Sequence, residues 1–118
     1  MKRFQALTLS SESDEVPLSP FFARCRWVAF LDLESGGVRR VQNRLRSAEF
    51  LVERILAEMP GRLICGFIDA RSARRLRDSG IDLRLGPCSV PARRLVHEAW
   101  RLPAPKGLVA AEIIPFAR

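Results

Sequence analysis

Tyrosine is absent from this sequence of 118 residues, lysine occurs only twice, and His97 is the one histidine. A single histidine gives no basis for a Ser-His-Asp or Cys-His catalytic arrangement. No two cysteines are spaced as Cys-x-x-Cys, so spacing alone predicts no zinc site. The functions that depend on these residue patterns therefore find no support in the composition.

Long apolar runs are also missing. No stretch approaches the roughly 20 apolar residues that span a bilayer. The start of the chain is basic, but the apolar segment after it ends at Ser10, too early for the hydrophobic region of a signal peptide. Three cysteines, an odd number without an export signal, indicate reduced thiols rather than a disulfide framework. We therefore expect a soluble, cytoplasmic protein.

Positive charge dominates what is present. The formal net charge is +7 and the sequence pI is about 10.9, and nearly all of the basic residues are arginines. Arginine binds flat, oxygen-rich anions through a fixed fork of donors. A GC-rich genome would explain the choice of arginine equally well. Whatever its origin, the charge favours an acidic partner: a nucleic acid, an anionic cofactor or an acidic protein surface.

The length and the hydrophobic pattern predict one α/β domain with a short extension. We place the domain at residues 1–102 and a C-terminal extension at residues 103–118, which holds the apolar stretch Leu108–Phe116. Apolar periodicity and turn residues predict five strands and three helices. The strands are expected at 4–9, 27–33, 38–43, 62–66 and 81–85, and the helices at 47–59, 69–79 and 89–100, with Ser47 and Ser89 as N-caps.

The order of these elements predicts the topology. A hairpin follows the first strand, and strands then alternate with helices, which implies right-handed parallel crossovers. In the arrangement that fits, strands one, four and five are parallel and strand two is antiparallel to strand one. This is the ribonuclease H-like mixed five-stranded sheet with the order 3-2-1-4-5 and about three helices.

Two segments resemble the dinitrogenase iron–molybdenum cofactor biosynthesis family. Ser19-Pro20-Phe21-Phe22-Ala23-Arg24-Cys25 is similar to the family's "SPHFGRA" segment, and residues 66–81 are similar to its "GNIGPNAFRALKAAGI" unit. The likeness covers about residues 3–100. The sequence departs from the family at Phe21, which stands where the family has histidine, and at Ile68-Asp69-Ala70, which replaces the turn "IGP".

The resemblance implies a protein that carries, stores or inserts the iron–molybdenum cofactor of nitrogenase or its iron–sulfur precursor. It also implies partners among nitrogenase components or cofactor-assembly proteins. Because the family histidine is missing, the resemblance leaves the ligand set open.

The topology predicts where such a cluster would bind. Ligands of parallel α/β sheets lie outside the carboxyl ends of the strands. Cys65 ends the fourth strand, Cys88 follows the fifth, and Cys25 precedes the antiparallel second strand, so all three thiols are expected on one side of the sheet. The N-termini of the second and third helices, near Ala70 and Ser89, should open there too and favour anions.

Thiolate suits the iron atoms of a cluster, and arginine suits its carboxylates and sulfides. The candidate cofactor-binding residues are Cys25, Cys65, Cys88, Arg24, Arg26 and Arg71, with Cys25 and Cys88 as candidate metal ligands. Several of the residues that could serve a site also have a plainer, structural interpretation. Cys65 fits a small core residue, the basic series on the second helix fits a solvated face, and His97 fits a surface position near a helix C-terminus.

The acidic residues argue against catalysis. Nucleases with this fold need several carboxylates around two metal ions, one of them on the first strand. Here that strand has no acid, Asp32 ends the second strand, and Asp69 is isolated at a helix start. We expect a non-catalytic protein.

Two other functions stay open. A ligand-free module could dock on a nitrogenase component or an assembly scaffold. Nucleic-acid binding ranks third and is not expected: it has the charge in its favour, but the sequence shows no stacking aromatics on a basic strand face, since Phe21 and Phe22 fall in a loop.

Overall fold

A computed structural model describes residues 4–13 and 15–105. Its strands are β1 (Phe4–Leu9), β2 (Trp27–Asp32), β3 (Val38–Gln42), β4 (Arg62–Cys65) and β5 (Asp82–Leu85), and its α-helices are α1 (Ala48–Glu58), α2 (Ala70–Asp78) and α3 (Ala92–Leu95). Short 3-10 turns occupy Phe22–Arg24 and Val96–Arg101. The strands form one sheet in the order β3-β2-β1-β4-β5.

The pairing confirms the predicted topology. β1 pairs with β2 antiparallel, from Phe4↔Asp32 to Leu9↔Trp27, and β2 pairs with β3 antiparallel. On its other side β1 pairs with β4 in parallel, and β4 pairs with β5 in parallel. The ribonuclease H-like order 3-2-1-4-5 with an antiparallel second strand is therefore confirmed.

Helices cover both faces of the sheet, as the apolar strand sequences require. On one face, α1 and α2 pack against Ala6, Val28, Phe30, Leu63 and Cys65. On the other face, α3 and the 3-10 turn after it pack against Leu7, Leu9, Ala29, Leu31 and Ile64. Because neighbouring residues of a strand point to opposite faces, each buried strand supplies side chains to both cores.

The first two helices begin where their capping residues predict. The Ser47 hydroxyl accepts a hydrogen bond from the Phe50 N–H at 3.3 Å, and an Asp69 carboxylate oxygen accepts one from the Ser72 N–H at 3.0 Å. Each side chain satisfies an N–H that has no partner within its own helix.

The third helix differs from the prediction. Ser89 does not cap it; the helix begins at Ala92 after Pro91, and no side chain caps that end. Proline disfavours the helical conformation of the residue before it, here Val90, so the helix begins only after Pro91, which is its N-cap. After four α-helical residues the chain continues as the 3-10 turn Val96–Arg101, in which Glu98 departs from helical geometry.

The end of the described chain packs on the edge of β5. The Leu85 N–H donates to the Pro103 carbonyl at 2.8 Å, and Arg84 donates to the Leu102 carbonyl at 2.7 Å. Residues 103–105 of the predicted extension therefore lie beside the sheet, while Leu108–Phe116 falls outside the described residues. Within the described chain, no helix combines the length and apolar composition needed to cross a membrane.

Candidate functional site

The carboxyl ends of the three parallel strands lie along one edge of the sheet, which we call the carboxyl edge. Leu9, Cys65 and Leu85 end β1, β4 and β5 there. Because β2 is antiparallel, its first residue, Trp27, lies at the same edge, opposite Leu9 and Gln42. The chain leaves β1 toward β2 on one side and later returns to pair β4 on the other, which makes the boundary between β1 and β4 the topological switch point.

The two segments that resemble the cofactor family meet at this switch point. The Phe67 N–H donates to the Pro20 carbonyl at 2.8 Å, and the Phe22 N–H donates to the Phe67 carbonyl at 2.8 Å. Phe21 and Phe67 thereby form an isolated parallel β-bridge. Residues 46 positions apart in the sequence thus become direct neighbours.

Gly66 makes this meeting possible. A Cβ at position 66 would lie 2.5 Å from the Ser19 carbonyl oxygen and 2.6 Å from that of Pro20. Real Cβ atoms do not approach backbone so closely, and a glycine is used where backbone must come this near. The strand-to-helix turn after β4 therefore holds the Ser19–Phe21 segment in place.

The junction creates an open cavity of about 230 Å³, lined by Phe21, Phe22, Ala23, Arg24, Phe67 and Asp69. Two of its aromatic rings are exposed, Phe21 to 49% and Phe67 to 67%, with centroids 6.1 Å apart in an edge-to-face arrangement. The Arg24 guanidinium lies 5.8 Å from the centre of the Phe21 ring. The cavity thus offers an apolar wall and a cation, a combination suited to a large polarisable anion or to a planar ring.

Helix α2 begins at this cavity. Asp69 lines the cavity and is also the N-cap, so one of its carboxylate oxygens is engaged by Ser72. Arg71 follows in the first turn and faces Glu49 at 3.9 Å, with both side chains strongly exposed. A pair so open to water contributes little to stability, so Arg71 can exchange Glu49 for another anion at small cost.

Cys25 is buried, although its sequence position beside a loop suggested an accessible thiol. Asn43, itself buried, donates from its Nδ2 to the Cys25 carbonyl at 2.8 Å. Burial raises the pKa of the Cys25 thiol from 9.0 to about 12, against the smaller lowering effects of Asn43 and Arg46. The group is therefore a protonated thiol near neutral pH in this conformation.

Cys65 and Cys88 complete the set of three thiols. Cys65 is fully buried in the core under α1 and α2, and burial raises its pKa strongly, with further increases from Cys25 and Cys88 nearby. Cys88 is exposed, and partial desolvation raises its pKa. All three belong to the carboxyl edge, as predicted, but only Cys88 is open to solvent.

Other candidate residues separate to different edges. Arg24 and Arg26 are exposed at the carboxyl edge. Asp32 lies at the opposite edge, beside a shallow cavity that also holds His97, which is exposed as expected. Within the described residues, no three side chains of histidine, cysteine, aspartate or glutamate are grouped closely enough to hold a metal ion together.

The sequence reasoning missed three contributors to the site: Phe67, Asn43 and the Arg44–Arg46 turn. Phe67 lies just after a buried strand, where an exposed aromatic residue is unusual. That position in the sequence could have indicated a binding role for Phe67. Asn43 gave no signal, because its place beside Cys25 depends on the β2–β3 pairing, which continues through the Asn43 N–H to the Arg26 carbonyl at 2.8 Å.

No family model and no curated protein matches this sequence. Solved structures do resemble the fold. The apo form of the orange protein from Desulfovibrio gigas has a TM-score of 0.80 at 15% identity, over 90% of this chain and 95% of that chain. A proposed NifB protein from Thermotoga has a TM-score of 0.72 at 17% identity, over 86% of this chain and 89% of that chain. At these identities the likeness establishes the common fold.

Proposed function

We propose that the protein is a non-catalytic, cytoplasmic carrier of an anionic metal–sulfur cluster: the iron–molybdenum cofactor of nitrogenase or its iron–sulfur precursor. The observation that carries the proposal is the junction at the switch point, where the two family-like segments are locked together by Gly66 and open a cavity beside Arg24. The names of two structural neighbours support the proposal: one is the apo form of the orange protein, and the other is a proposed NifB protein.

The arginines at this edge suit an anionic cargo. Arg24 and Arg26 are exposed, and neither forms an ion pair within the described residues. Arg71 has only the open contact with Glu49. Guanidinium groups in such positions can donate charge-assisted hydrogen bonds to the carboxylates or sulfides of a cluster. The start of α2 adds the positive end of a helix dipole.

Among the thiols, Cys88 is the best placed metal ligand. A thiolate rather than a thiol binds iron, and an exposed cysteine loses its proton at the lowest cost. Cys25 would have to leave its buried position beside Asn43 before it could serve as a ligand. Cys65 supports the site from within the core. We therefore rank Cys88 before Cys25 as a ligand and assign Cys65 a packing role.

We include the absence of catalysis in the proposal because the acids do not converge. Asp69 lies at the carboxyl edge and caps α2, whereas Asp32 lies at the opposite edge and accepts a hydrogen bond from the Glu34 N–H at 2.9 Å. β1 contains no acid at all. The two-metal chemistry of nucleases needs several carboxylates at one place.

A second candidate function is a ligand-free module that docks on a nitrogenase component or an assembly scaffold. The observation in its favour is the burial of Cys25 and Cys65, which leaves a single thiol accessible. The exposed arginines of the same edge would then meet an acidic protein surface.

Anaerobic titration of the purified protein with isolated iron–molybdenum cofactor tests the proposal, followed by gel filtration and metal analysis. We expect iron and molybdenum to co-elute with the wild type and to drop in Cys88→Ala and in the double variant Arg24→Ala/Arg26→Ala. Arg94→Ala on α3 is the control, since it also removes an exposed arginine. If no metal co-elutes at micromolar protein, the carrier function is wrong and the docking module replaces it.

A further inference from the structure

Four exposed arginines without an acidic partner lie along the carboxyl edge. We call Arg24, Arg26, Arg44 and Arg46 the arginine rim. None of the four forms an ion pair within the described residues, whereas seven other arginines do: Arg39, Arg54, Arg62, Arg71, Arg75, Arg84 and Arg93. Four positive charges thus lie side by side at this edge with no acidic partner among the described residues.

Backbone pairing brings the two halves of the rim together. The Asn43 N–H donates to the Arg26 carbonyl at 2.8 Å, and the Arg46 N–H donates to the Asn43 carbonyl at 3.3 Å. Arg46 holds a φ of 50°, a left-handed conformation that disfavours any residue with a side chain. The turn keeps a charged residue where glycine would be less strained, and such positions cluster at functional sites.

The aromatic pair of Phe21 and Phe67 continues this surface. Both rings are exposed at the mouth of the 230 Å³ cavity, and Arg24 lies over the Phe21 ring. Two exposed aromatic rings in edge-to-face contact beside a cavity form a small apolar surface that a ligand can cover. Their planar faces suit stacking on a nucleic-acid base, which every base allows regardless of sequence.

We propose that the carboxyl edge binds single-stranded nucleic acid, with a base on the aromatic pair and phosphates on the arginine rim. The surface crosses the edge from the end of β4 through β1 and β2 to the end of β3. Three strand spacings of about 4.8 Å make this about 14 Å. A stacked strand advances about 3.4 Å per nucleotide, so the surface accommodates about four nucleotides.

This ligand differs in class from the proposed cargo, although both would use Arg24 and Arg26. Charge alone would also attract an acidic protein. The aromatic pair favours nucleic acid, because the acidic side chains Asp and Glu have no planar ring to place on Phe21 and Phe67, whereas every nucleotide has one. Phe67 lines the cavity proposed for the cargo, but Arg44 and Arg46 do not, so Arg44→Ala/Arg46→Ala is the variant that separates the two functions.

Fluorescence anisotropy with a labelled 12-nucleotide oligothymidylate tests the proposal. Phe21→Ala/Phe67→Ala should weaken binding by about 5-fold to about 150-fold, since stacking is worth about 1–3 kcal/mol per base. Trp100→Ala is the matched control, because Trp100 is exposed to 69% with Arg101 over its ring but lies away from the cavity. Phe21→Leu/Phe67→Leu keeps the apolar surface without aromatic faces and should also bind weakly. It replaces the alanine variant as the test if that variant fails to fold.

Salt dependence tests the rim separately. Arg44→Ala/Arg46→Ala should reduce the slope of log affinity against log salt by about 1.4, at about 0.7 per lost phosphate contact with a single strand. Arg94→Ala/Arg101→Ala should leave the slope unchanged. The proposal is overturned if the aromatic variants bind the oligonucleotide as the wild type does. It is also overturned if a poly-glutamate peptide of equal charge binds as tightly, which would identify an acidic protein as the partner.

Discussion

The two edges of the sheet use the same residue type in opposite ways. At the amino edge, where β4 and β5 begin, the Arg62 Nε donates to Asp82 at 2.8 Å and the Arg84 Nε donates to the other carboxylate oxygen at 2.9 Å. At the carboxyl edge, the arginine rim has no acidic partner within the described residues, and two phenylalanines stand open beside it. A charge that is paired inside the protein serves the fold, whereas a charge left without an acid is available to a ligand.

The difference extends to how each edge is stabilised. The amino edge relies on charges and short turns, such as the Asp32 turn that accepts the Glu34 N–H. The carboxyl edge relies on close backbone packing at Gly66 and on buried thiols beneath the surface. Substitutions at the two edges should therefore change different measurable properties of the protein.

The largest effect is expected from Gly66→Ala. The new Cβ would have to displace the Ser19 and Pro20 carbonyls, which lie 2.5 Å and 2.6 Å from its position. Overpacking of this kind costs about 3 kcal/mol of unfolding free energy. Urea denaturation measures it. Gly37→Ala is the control, because its Cβ would meet only the flexible Ser35 hydroxyl at 3.2 Å; an equal loss in both variants would contradict the role of Gly66.

Alkaline pH should destabilise the carboxyl edge through its buried thiols. The folded pKa of Cys25 is raised to about 12 and that of Cys65 is also raised, so the unfolded chain loses these protons first, from about pH 9. The stability present below pH 9 is therefore lost as the pH rises toward 12. Between pH 9 and pH 10 the loss should be about 1 kcal/mol for each thiol.

Few other side chains lose a proton in this alkaline range, since the chain has no tyrosine and only two lysines. Urea midpoints at pH 8, 9 and 10 provide the comparison. Cys25→Ala should lose about half of the pH dependence, while Cys88→Ala, which removes an exposed thiol, should keep most of it. A wild-type midpoint that stays constant from pH 8 to pH 10 would refute the burial of both thiols.

The sequence predicted the sheet order because it depends on general rules of strand connection, and those rules apply to any chain with this alternation. It also placed Cys25, Cys65 and Cys88 at one edge, since strand direction alone decides that. It failed to show that Cys25 is buried, because the core that encloses Cys25 is assembled from residues distant in the sequence, such as Leu51 and Cys65. The predicted start of the third helix at Ser89 was wrong, because Pro91 disfavours the helical conformation of Val90 and this effect outweighs a serine cap.

The aromatic pair lay beyond local reasoning for a similar reason. Phe21 falls in an irregular segment and Phe67 follows a strand, and only the fit of Gly66 against Pro20 brings them together. A pattern read along the chain finds faces of helices and strands. It does not find a surface made where two turns touch.

At the amino edge, acid should weaken the Asp82 cluster. Burial opposes ionisation of this carboxyl, but the hydrogen bonds and charges of Arg84 and Arg62 outweigh it and hold its pKa below the usual value. Stability from this group is therefore present at neutral pH and is lost as the pH falls through the lowered pKa. Asp82→Asn should cost about 1 kcal/mol at pH 7, because the cluster is partly exposed.

Urea midpoints at pH 7 and pH 3 check this prediction. The gap between the wild type and Asp82→Asn should narrow at pH 3. Glu98→Gln is the control, since Glu98 is exposed and forms no ion pair within the described residues. An equal gap at both pH values would show that the Asp82 charge does not stabilise the amino edge.

The smallest effect concerns the backbone of the arginine rim. Arg46 has a φ of 50°, and Arg44 is not among the residues with positive φ. Glycine tolerates this conformation and alanine does not, so Arg46→Gly should be more stable than Arg46→Ala by about 0.5 kcal/mol. At position 44 the order should reverse, because glycine there only adds disorder to the unfolded chain. The four urea midpoints measure both differences.

If glycine is the more stabilising residue at position 46 and oligonucleotide binding falls in both variants at that position, arginine is kept there for its charge although it destabilises the fold. If alanine is the better residue at both positions, the turn is unstrained and the contrast between the two edges depends on ion pairing alone.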